Sequence, residues 1–565
     1  MFASINRSVR NNTRTWFYAG WLIINLIQSA GTELLDDEAY YWVYSRFPDW
    51  GYFDHPPMIA ILIKAGYALF SNELGVRLFM ALMNTATLWL IQKMLLVNND
   101  RLFYSIALSM GVLQIGGILA VPDIPLTFFT ALFFWQYKQF LHKTDWIQAL
   151  LLGTVMALML YSKYHGVLII LFTLLSNRKL ALQWQAWLAA IFGMLLFSPH
   201  LWWQYTHDFP SVMYHLKERN APAYRFSFTL EYIGGQILLA GPLIGWLLLY
   251  AAGKFRANDF FARALKLSMI GFYGFFLLST LKGRVEANWT VPALVPLIIL
   301  AHAWLTNSVK GSRWVYRLMA PALVAVFVVR LYMLSDIPSL SARFKDEMHN
   351  NKTWAAAIKE KSVGLPVVFM SSYQRPSKYW FYSGDTSFAI NNTGYRRNNY
   401  NFWPMEKDWQ GRTVFLVDYL LDSLPGSQAI ETAKGKTAGV VIEKLESHSF
   451  VQLKLVGEKL RVQDGQLVPF ELEMPVEFGK QILSEQRGDE IKTELVLDIF
   501  EGKQYLQTLS LQVEPSGKNW KAFSTARVLA GSGKFIGKLG LSHMVPGLYS
   551  QNSPSLPLEV ISPTK

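Results

Sequence analysis

The sequence predicts a polytopic α-helical membrane protein with a soluble C-terminal region of α/β and β-sandwich character. Three observations carry that reading. The chain has 565 residues, of which 52% are hydrophobic and only 16% charged. Apolar runs of membrane-spanning length recur up to about residue 335 and then stop. The basic residues cluster in short loops between those runs, so the net charge of +13 reports topology rather than a nucleic-acid surface. The chain has no cysteine, which removes disulfides, thiolate metal sites and cysteine nucleophiles from consideration.

Eleven spans are expected, near 15–31, 76–96, 102–120, 124–141, 146–161, 165–176, 184–202, 231–252, 264–281, 288–305 and 314–333. The first follows Arg7, Arg10 and Arg14, which resembles a secretory signal, but further spans follow it and it reads as an anchor. The run "PMIAILIKAGYALF" at 57–70 is too short to span and carries Lys64, so it predicts a helix lying at the interface. With this count, Lys93 and Arg101, Lys138 and Lys143, Arg178 and Lys179, the group from Lys254 to Lys266, and Lys310 to Arg317 all share a side. The positive-inside rule makes that side cytoplasmic. The opposite side receives "DDEAYYW…GYFDHPP", "AVPDIP", "YSKYHG", "HDFPSVMYHLKERNAPAYR", "KGRVEANW" and everything after 335.

Acids, bases and aromatics from distant loops thus meet on one face. Asp36, Asp37 and Glu38 stand together at the end of the first span. They read either as a solvated loop with a helix-capping carboxylate or as a general base whose proton affinity is raised by like charges. Tyr40, Tyr41, Trp42, Trp50, Tyr52 and Phe53 follow, as an interfacial belt or as platforms for sugar rings. Asp54 and His55 are competent ligands for a divalent cation, or ordinary loop residues before a Pro-Pro helix start. Asp123 lies between two apolar runs, where an ionisable group is a functional candidate as well as a helix cap. Lys163 either snorkels to headgroups or meets a phosphate. Arg219, Arg225, Lys282 and Arg284 add cations suited to a lipid phosphate, with Glu286, Asn288 and Trp289 completing the last loop.

Taken in order, these motifs resemble those of the polyprenyl-phosphate-sugar-dependent GT-C membrane glycosyltransferases, in the branch with the lipid A aminoarabinose transferases and protein O-mannosyltransferases. The matching residues are Asp37-Glu38 in "DEAYY", Asp54-His55 in "YFDHPPM", Asp123 in "AVPDIPLTFF" and Lys163 in "YSKYHGVL". The likeness covers roughly residues 15–335. It implies a transmembrane GT-C domain over 1–335, and transfer of a sugar from a polyprenyl-phosphate donor to lipid A, a surface glycan or a protein. The reaction would face the periplasm of a bacterial inner membrane. It implies catalytic roles for Asp37, with Glu38, and Asp123, and a phosphate-holding role for Lys163. Tyr52, His55, Arg219, Arg284 and Glu286 are expected to bind substrate. Some members hold a divalent metal near the Pro-Pro motif, here Asp54 and His55. The aminoarabinose transferases have Glu-Lys at that point, and the change to Asp-His bears on both the metal and the donor phosphate. No GxGxxG or Walker sequence is present, and no nucleotide cofactor or nucleic-acid partner is expected.

Residues 336–440 predict a periplasmic α/β domain, from "PVVFM" and "TVFLVDY" around the aromatic, arginine-rich stretch "SYQRPSKYWFYSG…GYRRNNYNFW". Residues 441–565 predict a β-rich domain, because "SFVQLKLV", "TELVLDIF" and "YLQTLSLQV" alternate or nearly so between turns. A lipid or glycan transporter with a periplasmic domain is the competing function. Its charges belong near mid-membrane and its halves commonly look alike, whereas here the charges gather at one boundary and the halves do not match.

Overall fold

The structure, a computed structural model of the full chain, describes residues 2–213, 224–336, 346–488 and 493–562. Two compact units are present. Among the described residues, one comprises 2–211 and 224–349, and the other 212–213 and those from 350 to 562.

The first unit is helical. In chain order it contains α1 (Phe2–Gly31), α2 (Asp36–Arg46), α3 (Met58–Leu69), α4 (Glu73–Met94), α5 (Asp100–Ser109), α6 (Gly111–Gln114), α7 (Asp123–His142), α8 (Trp146–Ser162) and α9 (Gly166–Ser176). After these come α10 (Trp184–Thr206), α11 (Pro210–Met213), α12 (Phe226–Ala240), α13 (Gly245–Lys254), α14 (Phe260–Ser279), a 3-10 segment at Ala287–Ala293 continuing into α15 (Leu294–Thr306), and α16 (Val309–Leu334). The short apolar run before residue 70 is α3, a helix of 12 residues, as its length predicts.

Among the described residues, α4, α10, α14, the Ala287–Thr306 segment and α16 are each long and apolar enough to cross a membrane. Two bent pairs raise the number to seven if each is one span: α5 with Gly111–Ile118, bent by 79°, and α12 with α13, bent by 91°. The sequence suggested eleven. The helices that make up the difference, α1, α7, α8 and α9, are either shorter or carry more polar residues than an uninterrupted span. The second bend has a local cause. Gly241 adopts φ 140°, and the following Pro242 has no N–H to continue the helix.

Helices approach closely where side chains are smallest. A Cβ at Gly153 on α8 would stand 2.5 Å from the Ala189 carbonyl oxygen of α10, and one at Gly193 would stand 2.9 Å from the Gly153 carbonyl oxygen. Small residues are what let two membrane helices pack at that distance. The interior is filled by apolar side chains of α4, α5, α7, α13, α14 and α15, among them Phe134, Phe272 and Leu297.

The second unit contains two sheets. The first has order β2-β1-β3-β5-β4, built from β1 (Val367–Met370), β2 (Phe388–Ile390), β3 (Val414–Asp418), β4 (Gln428–Thr432) and β5 (Gly435–Ile442). β1, β2 and β3 run parallel, buried along their length, and β5 and β4 add antiparallel. The second sheet has nine strands between Lys454 and Ile561. The strands next to its two edges show the two-residue burial period of half-covered strands, at Pro469–Glu473 and Leu556–Ile561. The β-rich character expected of this region is present, with the strands joined edge to edge in one sheet.

Candidate functional site

The acidic triplet opens α2. Asp36, Asp37 and Glu38 occupy its first turn, where the exposed backbone N–H groups favour negative charge. The helix period then separates their fates. Glu38 turns inward and is fully buried, Asp36 is half-buried, and Asp37 is exposed. Glu38 accepts the backbone N–H of Leu35 at 2.9 Å, so the capping role is real and belongs to the third acid.

Glu38 also meets Arg77 of α4. Arg77 Nε donates to Glu38 Oε1 at 2.7 Å, and Arg77 Nη2 donates to Oε2. The same guanidinium donates to the carbonyl oxygens of Ser29, Thr32 and Glu33, at 3.2, 2.6 and 2.9 Å. Glu38 Oε1 also accepts the backbone N–H of Ala120 at 2.7 Å. One buried ion pair therefore knots the end of α1, the start of α2, α4 and the stretch leading to α7. Such a pair survives burial because further hydrogen bonds satisfy both ions.

That stretch leads directly to the second acid. Asp123 is the first residue of α7 and is buried. Its Oδ1 accepts Lys163 Nζ at 2.8 Å, and its Oδ2 accepts Asn288 Nδ2 at 3.2 Å. Lys163 ends α8 with its side chain only 6% exposed, turned toward Asp123. His165, two residues on, packs against Phe276 and Trp289 at 5.1 and 5.4 Å between ring centres. The loop after α8 and the loop before α15 are thus brought against the start of α7.

The comparisons with known proteins bear on this arrangement. The family described as dolichyl-phosphate-mannose-protein mannosyltransferase matches residues 54–203. The lipid A galacturonosyltransferase RgtD of Rhizobium johnstonii is 28% identical over 307 residues, covering 50% of this chain and 63% of that protein, so the match spans less than two thirds of the relative's length. ArnT from Cupriavidus metallidurans in the apo state superposes with a TM-score of 0.56 at 13% identity, over 76% of this chain and 98% of ArnT. ArnT bound to undecaprenyl phosphate gives 0.54 at 14% identity, over 75% and 97%. The chain shares the fold of ArnT over about three quarters of its length.

The remaining candidate residues of this helical unit are placed differently from one another. Tyr52 is buried and stacks on Tyr44 at 4.1 Å, with its hydroxyl 3.1 and 3.0 Å from the carbonyl oxygens of Tyr44 and Phe47. Its polar end is thus engaged within its own loop. Asp54 is buried and lies 3.5 Å from the Tyr44 hydroxyl. Burial and the neighbouring carboxylate together push the Tyr44 phenol well above its usual range. His55 sits edge-on to Tyr41, with ring centres 5.6 Å apart. Arg284 faces Glu231 of α12 at 3.5 Å, both well exposed, and Glu286 is half-buried just before the Ala287–Ala293 turn. Arg219 lies outside the described residues.

A metal held by Asp54 and His55 needs at least a third ligand. Among the described residues no third metal-competent side chain joins them. The one such group there is Asp336, Asp346 and His349, whose ligand atoms lie within 4.8 Å of one another. Asp54 and His55 offer two candidate protein ligands and are not part of that group.

Two residues were not singled out from sequence as carrying the site. Arg77 had a signal, since an arginine within an apolar helix demands a buried partner. Asn288 was noted only as part of its loop, and its contact with Asp123 depends on a sequence separation of 165 residues.

Proposed function

We propose that this chain is a glycosyltransferase of the bacterial inner membrane. It moves a sugar from a polyprenyl-phosphate donor to a hydroxyl or phosphate of lipid A, with the site and the C-terminal region facing the periplasm. The observation that carries this reading is the convergence at one end of the helical unit. The Asp123–Lys163–Asn288 cluster and the exposed Asp37 are tied to one another's supports through Glu38, Arg77 and Ala120. The fold likeness to ArnT, seen also with undecaprenyl phosphate bound, supports it, as does the partial likeness to a lipid A galacturonosyltransferase.

The chemistry follows from the groups present. An acceptor oxygen attacks the anomeric carbon, and the bond from that carbon to the phosphate oxygen breaks. The leaving lipid phosphate gathers negative charge, which Lys163 offsets, with Asp123 and Asn288 fixing the ammonium in place. Arg284 lies on the neighbouring loop and adds a second cation. The acceptor proton passes to Asp37. Glu38 has both oxygens occupied, so it positions the turn that presents Asp37.

The test is transfer from a purified lipid-linked sugar donor to lipid A. Asp37→Asn keeps the size of the side chain but cannot take the proton, so the rate should fall about 10²–10⁴-fold. Asp36→Asn should cost far less. Equal rates for wild type and the Asp37→Asn protein would remove the base from the mechanism and leave Asp37 as a helix-end charge.

A further inference from the structure

α10 carries polar side chains that face inward at the site end, and the mechanism above does not use them. Trp203 Nε1 donates to Asp49 Oδ2 at 2.8 Å. A Cβ at Gly51 would fall 2.4 Å from the Trp203 ring, so the backbone of the loop lies flat on that indole. His200 is fully buried, with Nδ1 2.7 Å from the Trp50 carbonyl oxygen and Nε2 2.9 Å from the Tyr164 hydroxyl. A carbonyl oxygen only accepts, so Nδ1 carries the proton. In the neutral ring Nε2 is then the acceptor, and the Tyr164 hydroxyl donates to it. That hydroxyl in turn accepts Gln204 Nε2 at 2.9 Å. Gln204 Nε2 also donates to Ser211 Oγ at 2.9 Å, and Ser211 donates to the Tyr52 carbonyl oxygen at 3.0 Å.

With the His200 ring neutral, the carbonyl ends fix the direction of every hydrogen bond in this network. It joins two loops that are more than 100 residues apart in sequence. One holds Asp49 to His55. The other holds Lys163 and Tyr164.

We propose that His200 and Tyr164 are positioning residues that set the spacing between the first loop and the lysine that grips the donor phosphate. His200 holds Trp50 with one nitrogen and Tyr164 with the other, so neither loop shifts without the other. The proposal rests on the glycosyltransferase reading for its effect on rate, but the clamp itself is measurable without it.

The experiment uses the full-length protein in lipid nanodiscs and the variants His200→Phe, His200→Gln and Tyr164→Phe. Phenylalanine keeps ring volume with neither donor nor acceptor. Glutamine keeps one of each. Hydrogen–deuterium exchange should quicken in residues 47–57 and 163–166 together in His200→Phe, and return toward wild type in His200→Gln. With undecaprenyl-phosphate-linked sugar as donor, His200→Phe should lose about tenfold in kcat/KM, mostly in donor KM, and His200→Gln should recover most of it. Tyr164→Phe should show the KM effect and loosen 163–166 more than 47–57. Exchange that quickens in one loop only in His200→Phe, or a glutamine variant as impaired as the phenylalanine variant, overturns the proposal. Kinetics of His200→Phe equal to wild type overturn it as well. Coupled loosening of both loops in a protein whose wild type transfers no sugar supports the clamp and removes the glycosyltransferase reading instead.

Discussion

Glu38 and Glu406 are both buried glutamates, one in each unit, and they are held in opposite ways. Glu38 faces the full positive charge of Arg77. Glu406 faces neutral donors, accepting the hydroxyls of Ser447 and Ser449 and the Ser449 backbone N–H at 2.9 Å, and burial pushes its carboxyl above its usual range. The same contrast runs through the two units. The helical unit buries Lys163 against Asp123, whereas the second unit holds the half-buried His543 against the Asn392 amide and the Val545 backbone N–H. A buried charge facing a counter-charge draws on that partner most, with hydrogen bonds completing its shell. A charge facing dipoles depends on none of them singly, but its ionisation moves with pH.

Breaking the ionic side of the contrast should have the largest effect. Arg77→Met leaves the Glu38 carboxylate buried without its guanidinium, which costs about 3–5 kcal/mol. Thermal unfolding of the solubilised protein checks this, and the double variant Arg77→Met/Glu38→Gln should recover part of the loss. Full additivity of the two substitutions would mean that the pair is not coupled.

Next in size is Lys163, whose pair is proposed to serve the donor as well as the fold. Lys163→Ala should lower donor kcat/KM about 10- to 100-fold, and Lys163→Arg should retain part of it because the positive charge survives. Wild-type kinetics in both variants would reduce Lys163 to packing.

The neutral side sharpens the comparison through pH. Burial and the nearby His448 pull the His543 pKa down to about 4. A histidine depressed in the folded state contributes stability that is present above its unfolded pKa of about 6.5 and is lost as pH falls toward 4. By linkage the full shift corresponds to about 3 kcal/mol, and His543→Gln should flatten the acid side of the stability profile. Glu406 has the opposite sign. Its raised carboxyl contributes stability that is full below the unfolded pKa and is lost as pH rises through the folded one. Glu406→Gln should remove that slope while costing about 1 kcal/mol or less, because the amide keeps one acceptor for the serines. Hydrogen exchange across 405–410 between pH 4 and 8 reads both changes in the intact protein.

The sequence by itself determined the membrane character, the change near residue 335, the order of the motifs and the identity of most charged candidates. Apolar length, basic-loop placement and residue type are local properties, so they survive without coordinates. It also predicted that Asp37, Glu38, Asp123 and Lys163 belong to one neighbourhood, through their resemblance to a family. Tertiary structure decided which of those residues are buried and what each is paired with. Three consecutive acids look alike in sequence, yet the helix period aims Glu38 at Arg77, 39 residues away, and leaves Asp37 exposed. Whether Lys163 snorkels or pairs depended on Asp123, 40 residues away, and the partner of that aspartate's other oxygen was 165 residues distant. The continuity of spans was also a tertiary matter. The apolar run at 231–252 bends by 91° because Gly241 and Pro242 cannot continue a helix, and hydropathy averaged over the run does not register a break of two residues. Composition fixes which chemistry is present; only packing fixes which atoms are already satisfied.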